Sequence, residues 1–469
     1  MTIVVNMTKT LLTALTFIAL AVFTLAAMAD AGAARPNLVF LMADNLRHDL
    51  LGCAGNHIIQ TPHIDQLAER GVRLENAFCT TSMCNSSRAS VFTGLYRRTH
   101  GYSHVPPLRR EMLSKSYPVL LKRAGYRTGF VGKFGIDVEQ GVPDNLFDFY
   151  RRAIAWSKSE PYMRRDDDGN LKHMTRINGD RAISFLRSCR RGQPFCLSVS
   201  FSAPHAEYDS PDPHPADPAQ ADLYQNETIA PAPHSLPADF ARLPRFLQRG
   251  LSRTWYEPYE PPAEYQRMMQ GMYRVITGID EQVGRIVEEL KRLELADNTV
   301  IIFTSDNGML IGEHGLGWIW LIYEGSIRVP LIVYDPRLAE QRRGTVRSEM
   351  ALNVDLAPTL LDMAGVDVPA SMQGRSLVPL LEGDQVDWRT DFFYEFLFEY
   401  EGIPKSEGVR GLRYVYARYF EEDPVYEQLF DLERDPHQTE NLAEKPNSRA
   451  VLNQLRQRCD ALRATVTPN

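Results

Sequence analysis

Three short runs constrain this chain more than any other feature. Asn37-Leu38-Val39-Phe40-Leu41-Met42-Ala43, Phe195-Cys196-Leu197-Ser198-Val199-Ser200-Phe201 and Thr299-Val300-Ile301-Ile302-Phe303-Thr304 are almost wholly apolar. Runs of that kind suit strands buried on both faces of a parallel sheet, with helices covering each side. Each run stops abruptly, at Asp44-Asn45, at Ser202-Ala203-Pro204-His205 and at Ser305-Asp306-Asn307-Gly308. Polar residues at the carboxyl ends of such strands lie where open α/β sheets bind ligands. One Asp-Asn pair serves equally well as an Asx turn closing its strand. Two pairs on neighbouring strands would bring four oxygen donors together, a set suited to Ca²⁺ or Mg²⁺.

The remaining elements fit around that sheet. Helical signals run from Thr61 to Gly71, with Thr61 as cap and Pro62 in the first turn, and from Tyr117 to Ala124, Ile177 to Arg187, Tyr265 to Leu293 and Asp355 to Ala364. Thr128 to Lys133 returns to the sheet and delivers Lys133 at a strand end, and Val329 to Tyr334 adds a strand. Between Ala206 and about Pro262 the chain is rich in Pro, acidic residues and aromatics, which predicts a long surface excursion of the kind that shapes a substrate mouth. From about Asp384 the composition shifts towards Tyr, Phe and Glu. Phe392 to Phe396, Arg413 to Ala417 and Tyr426 to Leu432 then read as short antiparallel strands, closed by a polar helix.

One stretch carries its own chemistry. Cys84-Asn85-Ser86-Ser87-Arg88 precedes an apolar, helix-compatible run that Gly94 stops. Thiol, hydroxyls and a fixed cation at a helix N-terminus suit an anion, because free N–H groups and the helix dipole favour negative charge there. A buried Cys beside a capping Ser is the plain structural alternative.

The net charge of -7 gives no support to nucleic-acid binding by bulk electrostatics. Lys9, an apolar run from Leu11 to Ala27 and Ala27-Met28-Ala29 read as an export signal over residues 1–29. A membrane anchor is the alternative, although the run is short for a bilayer. A mature soluble chain starting near Asp30 is thus expected in a periplasm or outside the cell, with no later membrane span. Of the six cysteines, Cys189 and Cys196 are spaced to close a small loop there, although pairing does not follow from sequence.

Taken together, the motifs resemble those of the formylglycine-dependent sulfatases of the alkaline phosphatase superfamily. They include Met42-Ala43-Asp44-Asn45, Thr61-Pro62-His63-Ile64-Asp65, Cys84 to Gly94, Gly125-Tyr126-Arg127-Thr128-Gly129 through Lys133, Ala203-Pro204-His205, Phe303 to Gly308, Glu313-His314-Gly315, Tyr323-Glu324 and Ser326 to Leu331. The resemblance implies an α/β fold: a large, mostly parallel mixed sheet flanked by helices over residues 30–383, with a small antiparallel sheet and helix over 384–469. It implies that a maturation enzyme oxidises Cys84 to formylglycine, whose hydrate attacks sulfur and then expels sulfate. Asp44, Asn45, Asp306, Asn307 and position 84 would hold the metal, Ca²⁺ with Mg²⁺ as the other option. Arg88 would fix the hydrate, and Lys133 and His205 would meet the sulfate and the leaving oxygen, with His205 a candidate general acid.

The chain also departs from the pattern. Ser86 stands where the family has Pro, Asn45 replaces a common second Asp, Gly135 follows Phe134 where a Trp-His pair is usual, and Ile319 aligns with a Lys. The expected substrate is a sulfated carbohydrate, with Tyr208, Tyr224, Trp255, Tyr256 and Tyr259 available either to stack on sugars or to pack against the domain. A phosphodiesterase or phosphonate hydrolase, and a sulfated-glycan binder without turnover, are the competing readings.

Overall fold

The computed structural model describes residues 35–143, 146–152, 162–207 and 210–467, so the export signal and Tyr208 lie outside the described residues. Residues 37–469 form one compact unit. Its centre is a mixed eight-stranded sheet. In chain order the strands are β1 (Asn37–Ala43), β2 (Val72–Leu74), β3 (Arg127–Gly132), β4 (Phe149–Arg152), β5 (Phe195–Ser200), β6 (Thr299–Ser305), β7 (Leu331–Tyr334) and β8 (Thr345–Arg347). Across the sheet they run β8-β2-β7-β6-β1-β5-β3-β4, and only β7 pairs antiparallel with its neighbours.

The three apolar runs are the adjacent central strands β6, β1 and β5. Alternate residues of β1 enter opposite cores: Val39, Leu41 and Ala43 on one face, Leu38, Phe40 and Met42 on the other. Helices α1 (Pro62–Arg70), α4 (Met174–Arg187) and α5 (Pro262–Arg292) contribute Ile64, Phe185 and Ile276 to the first core. The second takes Phe92 of α2 (Cys84–Thr93), Tyr117 of α3 (Tyr117–Arg123) and Leu360 of α6 (Leu356–Met363).

An antiparallel sheet follows: β9 (Asp391–Phe396), β10 (Ser406–Gly411), β11 (Tyr414–Tyr419) and β12 (Tyr426–Asp431), covered by α7 (Arg449–Val466). Strand β10 has no apolar alternation in its Ser-Glu-Gly-Val-Arg-Gly sequence, so it is absent from the sequence reading. Its charges are nevertheless buried and paired, Glu407 with Arg418 and Arg463, and Arg410 with Glu324.

Two further expectations change. All six cysteines are free thiols. Cys196 points from β5 into the second core, whereas Cys189, beyond α4, packs against the first, so the sheet lies between them. Thr61 does not cap α1; instead Asp280 of α5 accepts from the N–H groups of Ile64 at 2.7 Å and His63 at 3.3 Å. Among the described residues no helix is long and apolar enough to cross a membrane.

Candidate active site and metal centre

Strand register assembles the site. Asn37 to Ala43 pair residue by residue with Thr299 to Ser305, so Asp44 and Asp306 leave adjacent strands at the same level. Gly132 pairs with Ser200 in the same way, and the Lys133 N–H donates to the Ser200 carbonyl at 2.8 Å. The Asp44 N–H donates to the Ala203 carbonyl at 3.1 Å, which ties the loop carrying His205 to the same edge. Helix α2 begins at Cys84 and points its first turn into this edge. One ligand atom each from Asp44, Cys84 and Asp306 lies within 4.8 Å of the other two.

Arg88 is wholly buried beneath them. Its Nε donates to Asp306 Oδ2 at 2.8 Å and its Nη2 to Asp44 Oδ2 at 3.2 Å. Its Nη1 reaches the Lys133 carbonyl and Ser200 Oγ, both at 2.5 Å. The Lys133 ammonium also donates to Asp44 Oδ2. Two carboxylates and two cations thus balance at a buried site, where an isolated charge would be very costly. Burial acts to raise the Asp44 carboxyl, but Lys133, His205 and Arg88 outweigh it and hold it below its ordinary value. Burial and the charge of Asp44 push Asp306 up to about 6. Burial also pushes the Cys84 thiol up to about 11, so the unmodified side chain is a neutral thiol and a poor nucleophile. His205 falls to about 4 through burial and then Lys133, and its Nδ1 lies 2.8 Å from the Ala206 carbonyl, which makes Nδ1 the protonated nitrogen.

The two asparagines play unequal parts. Asn307 Nδ2 donates to Asn45 Oδ1 and to the Gly308 carbonyl, both at 2.7 Å. That leaves Asn307 Oδ1 and Asp44 Oδ1 as buried oxygens with no hydrogen-bond partner, while the unpartnered atom of Asn45 is its Nδ2. Unsatisfied buried oxygens beside two carboxylates fit a hard divalent cation. Side chains able to hold such an ion are Asp44, Asp306 and Asn307 together with position 84, and Asn45 Oδ1 accepts from the Asn307 amide.

Comparison with known proteins identifies the family. The sulfatase family model matches residues 36–366, and a model of the C-terminal part of N-sulphoglucosamine sulphohydrolase matches residues 312–465.

The chain belongs to the sulfatase family.

It is a sulfuric ester hydrolase. This sulfatase is 28% identical to an N-acetylglucosamine-6-O-sulfatase of Bacteroides thetaiotaomicron, over 87% of this chain and 82% of the relative. It is 30% identical to a choline-sulfatase of Rhizobium meliloti, over 88% of this chain and 83% of that one. A protein solved in complex with its substrate D-glucosamine-2-N,6-O-disulfate superposes with a TM-score of 0.78 at 25% identity, covering 93% of this chain and 99% of the other. A phosphonate monoester hydrolase of Agrobacterium radiobacter shares the fold, with a TM-score of 0.75 at 22% identity and coverage of 92% and 96%.

The departures of this sulfatase have structural settings. Ser86 is buried and its hydroxyl donates to the Tyr102 carbonyl at 2.9 Å. Gly135 has φ +69°, and a Cβ there would stand 2.7 Å from Arg88 Cδ. Ile319 is buried between Trp318 and Trp320, both of which have left-handed backbones. Of the aromatics proposed for stacking, Tyr224 and Tyr256 are buried, Tyr259 is half-buried, and half-buried Trp255 stacks on Trp318. Sequence reasoning missed Ser200 and Asn353. Ser200 receives Arg88, and Asn353 donates to Ser87 Oγ at 2.8 Å; nothing local to either residue signals that part.

Proposed function

We propose that this sulfatase removes sulfate from a sulfated carbohydrate, with position 84 as formylglycine and a divalent cation, Ca²⁺ or Mg²⁺, held by Asp44, Asp306 and Asn307. The observation that carries this reading is the gathering of Asp44, Cys84 and Asp306 within 4.8 Å, with Arg88 bonded to both carboxylates and Lys133 to Asp44. The carbohydrate substrate rests on the relatives named for glucosamine sulfates.

When bound, the cation would polarise the sulfate and acidify a coordinated hydroxyl. The aldehyde hydrate would offer two hydroxyls on one carbon, one to attack sulfur and one to expel sulfate afterwards. Arg88 fixes both acids from below and cannot turn without breaking its bonds to Asp306 and Ser200. Lys133 holds a positive charge against Asp44, where a sulfate oxygen would meet it. His205 is neutral before substrate arrives, and the negative charge of a sulfate beside it favours the protonated ring that hands a proton to the leaving oxygen. An export signal over residues 1–29, a catalytic part to residue 383 and a small C-terminal part complete the proposal, as does a formylglycine-generating maturation enzyme acting on Cys84.

The competing glycan-binder reading draws on Gly135 and Ile319, which bring no polar side chain to the site. Mass spectrometry of the Cys84 peptide from the native host separates the two, because conversion to the aldehyde removes roughly 18 Da. Sulfate release from a panel of sulfated sugars by the wild type and by Cys84→Ala then tests the role. Release by the wild type alone is expected, and equal release by both overturns the assignment.

A further inference from the structure

Several motif residues that the reaction leaves unused meet in one place. A cavity of about 770 Å³ lies where the carboxyl rim of the large sheet meets the antiparallel sheet. Its walls come from the loop after β1, the segment after β6, the stretch leading into β7 and the ends of β10 and β12. The first two leave the strand ends that carry Asp44 and Asp306, yet no residue of the metal centre lines the cavity. Glu313, His314, Tyr323, Glu324 and Arg328 do line it, all of them singled out by the sequence. His314 and Tyr323 pack ring against ring there, with centroids 4.7 Å apart.

Most charges around the cavity are matched. Asp49 and Glu313 are bonded to Arg47, both oxygens of Glu324 to Arg410 at 3.0 Å, and Glu433 to Arg413 at 3.1 Å. Arg328 is the lining arginine left over. Its Nε donates to the Glu75 carbonyl at 2.8 Å, while Glu324, already taken, stands 3.8 Å from Nη1. Among the described residues neither Nη group meets a hydrogen-bond acceptor. Burial, with Arg410 close by, draws the guanidinium below its ordinary value, as for a cation short of negative charge. His48 is in a similar condition. Its Nδ1 is buried with no hydrogen-bond partner, and burial pulls the ring down to about 4, so it is neutral and keeps one N–H. Such groups call for a partner that the chain itself does not supply.

We propose that this cavity is a second anion site, which takes a carboxylate or sulfate through the forked Nη groups of Arg328 and the ring of His48. A guanidinium fork matches two oxygens of one oxyanion, and charge-assisted bonds of this kind are the strong ones. The volume exceeds what an oxyanion alone fills and has room for a sugar ring behind it. On the carbohydrate reading above, the occupant is an acidic sugar unit beside the one that carries the ester. A free inorganic oxyanion has the same chemistry.

Calorimetry with glucuronate, inorganic sulfate and uncharged glucose tests the site in the whole chain. Glucuronate should bind the wild type, and Arg328→Gln should weaken it about tenfold, the loss expected for a forked bond between charges. Arg328→Lys keeps the charge without the fork and should recover only part of that loss. Lys133→Gln removes a cation of the catalytic centre and should leave this binding in place. Sulfate that binds as tightly as glucuronate, with the same dependence on Arg328, assigns the cavity to a free oxyanion; tighter glucuronate assigns it to an acidic sugar. The proposal is overturned if neither anion binds, if glucose binds as tightly as glucuronate, or if Arg328→Gln leaves anion binding unchanged. Should Arg328→Gln fail to fold, His48→Leu carries the test: a loss of about fivefold is expected, and no change excludes the site. Calorimetry reads binding without turnover. A chain that binds glucuronate through Arg328 yet releases no sulfate therefore keeps this site and loses the proposed reaction.

Discussion

Gly135 offers the sharpest test of how the site is held. Its φ of +69° already costs a residue with a Cβ roughly 1–2 kcal/mol. The added Cβ would also stand 2.7 Å from Arg88 Cδ, closer than real Cβ contacts. Arg88 has no room to yield, since it is wholly buried and bonded to Asp44, Asp306, Ser200 and the Lys133 carbonyl. Breaking a buried pair outright costs about 3–5 kcal/mol, so partial displacement adds about 2 kcal/mol to the backbone term. Gly135→Ala should therefore lose about 3 kcal/mol of unfolding free energy in urea. Gly141 supplies the control, with φ +81° and nothing within 4 Å of its Cβ position. Gly141→Ala should lose only the backbone share, about 1 kcal/mol. Equal losses would refute the claim that a bare backbone at 135 is what lets Arg88 lie across both acids. The same clash means that Gly135→His should lower rather than raise sulfate release.

Two other predictions concern charge. Burial raises Asp280 to about 7 against the opposing N–H groups of Ile64 and His63, so the folded chain holds this proton above the ordinary carboxylate range. The stabilisation is complete below about pH 4 and is lost as pH rises through about 7, by up to about 4 kcal/mol; unfolding of Asp280→Asn should lack that slope, and a retained slope would place its origin elsewhere. Calcium at a hundredfold excess over its dissociation constant should stabilise the wild type by about 2.7 kcal/mol. Asp306→Asn, less stable from the start because Arg88 loses a partner, should gain nothing from calcium, and an unchanged calcium response would remove Asp306 from the metal set.

The sequence made the centre of the fold legible because β1, β5 and β6 are covered on both faces, and such strands announce themselves by unbroken apolar runs. It made Asp44 and Asp306 legible because polar residues end those runs. Other features depended on partners far along the chain. Strand β10 looks like a loop until Glu407 and Arg410 find their ions. Asp280 caps a helix more than two hundred residues away, which no local capping rule detects. The unequal parts of Asn45 and Asn307 depend on the Gly308 carbonyl, which accepts from the Asn307 amide nitrogen and leaves the amide oxygen without a hydrogen bond. Trp318 and Ile319 sit in a run of apolar residues whose left-handed kinks have no glycine to mark them.

The lock-step between β1 and β6 has a consequence for how such a chain can change. Strand pairing sets the level at which the two acids leave the sheet and Arg88 then bridges them, so a strand residue can be exchanged for another that fills the same core space while that level survives. Adding or deleting a single residue in one strand slides its acid by about 3.3 Å and turns it to the opposite side of the sheet. Variation here is limited to letters that fill the same space and is closed in length.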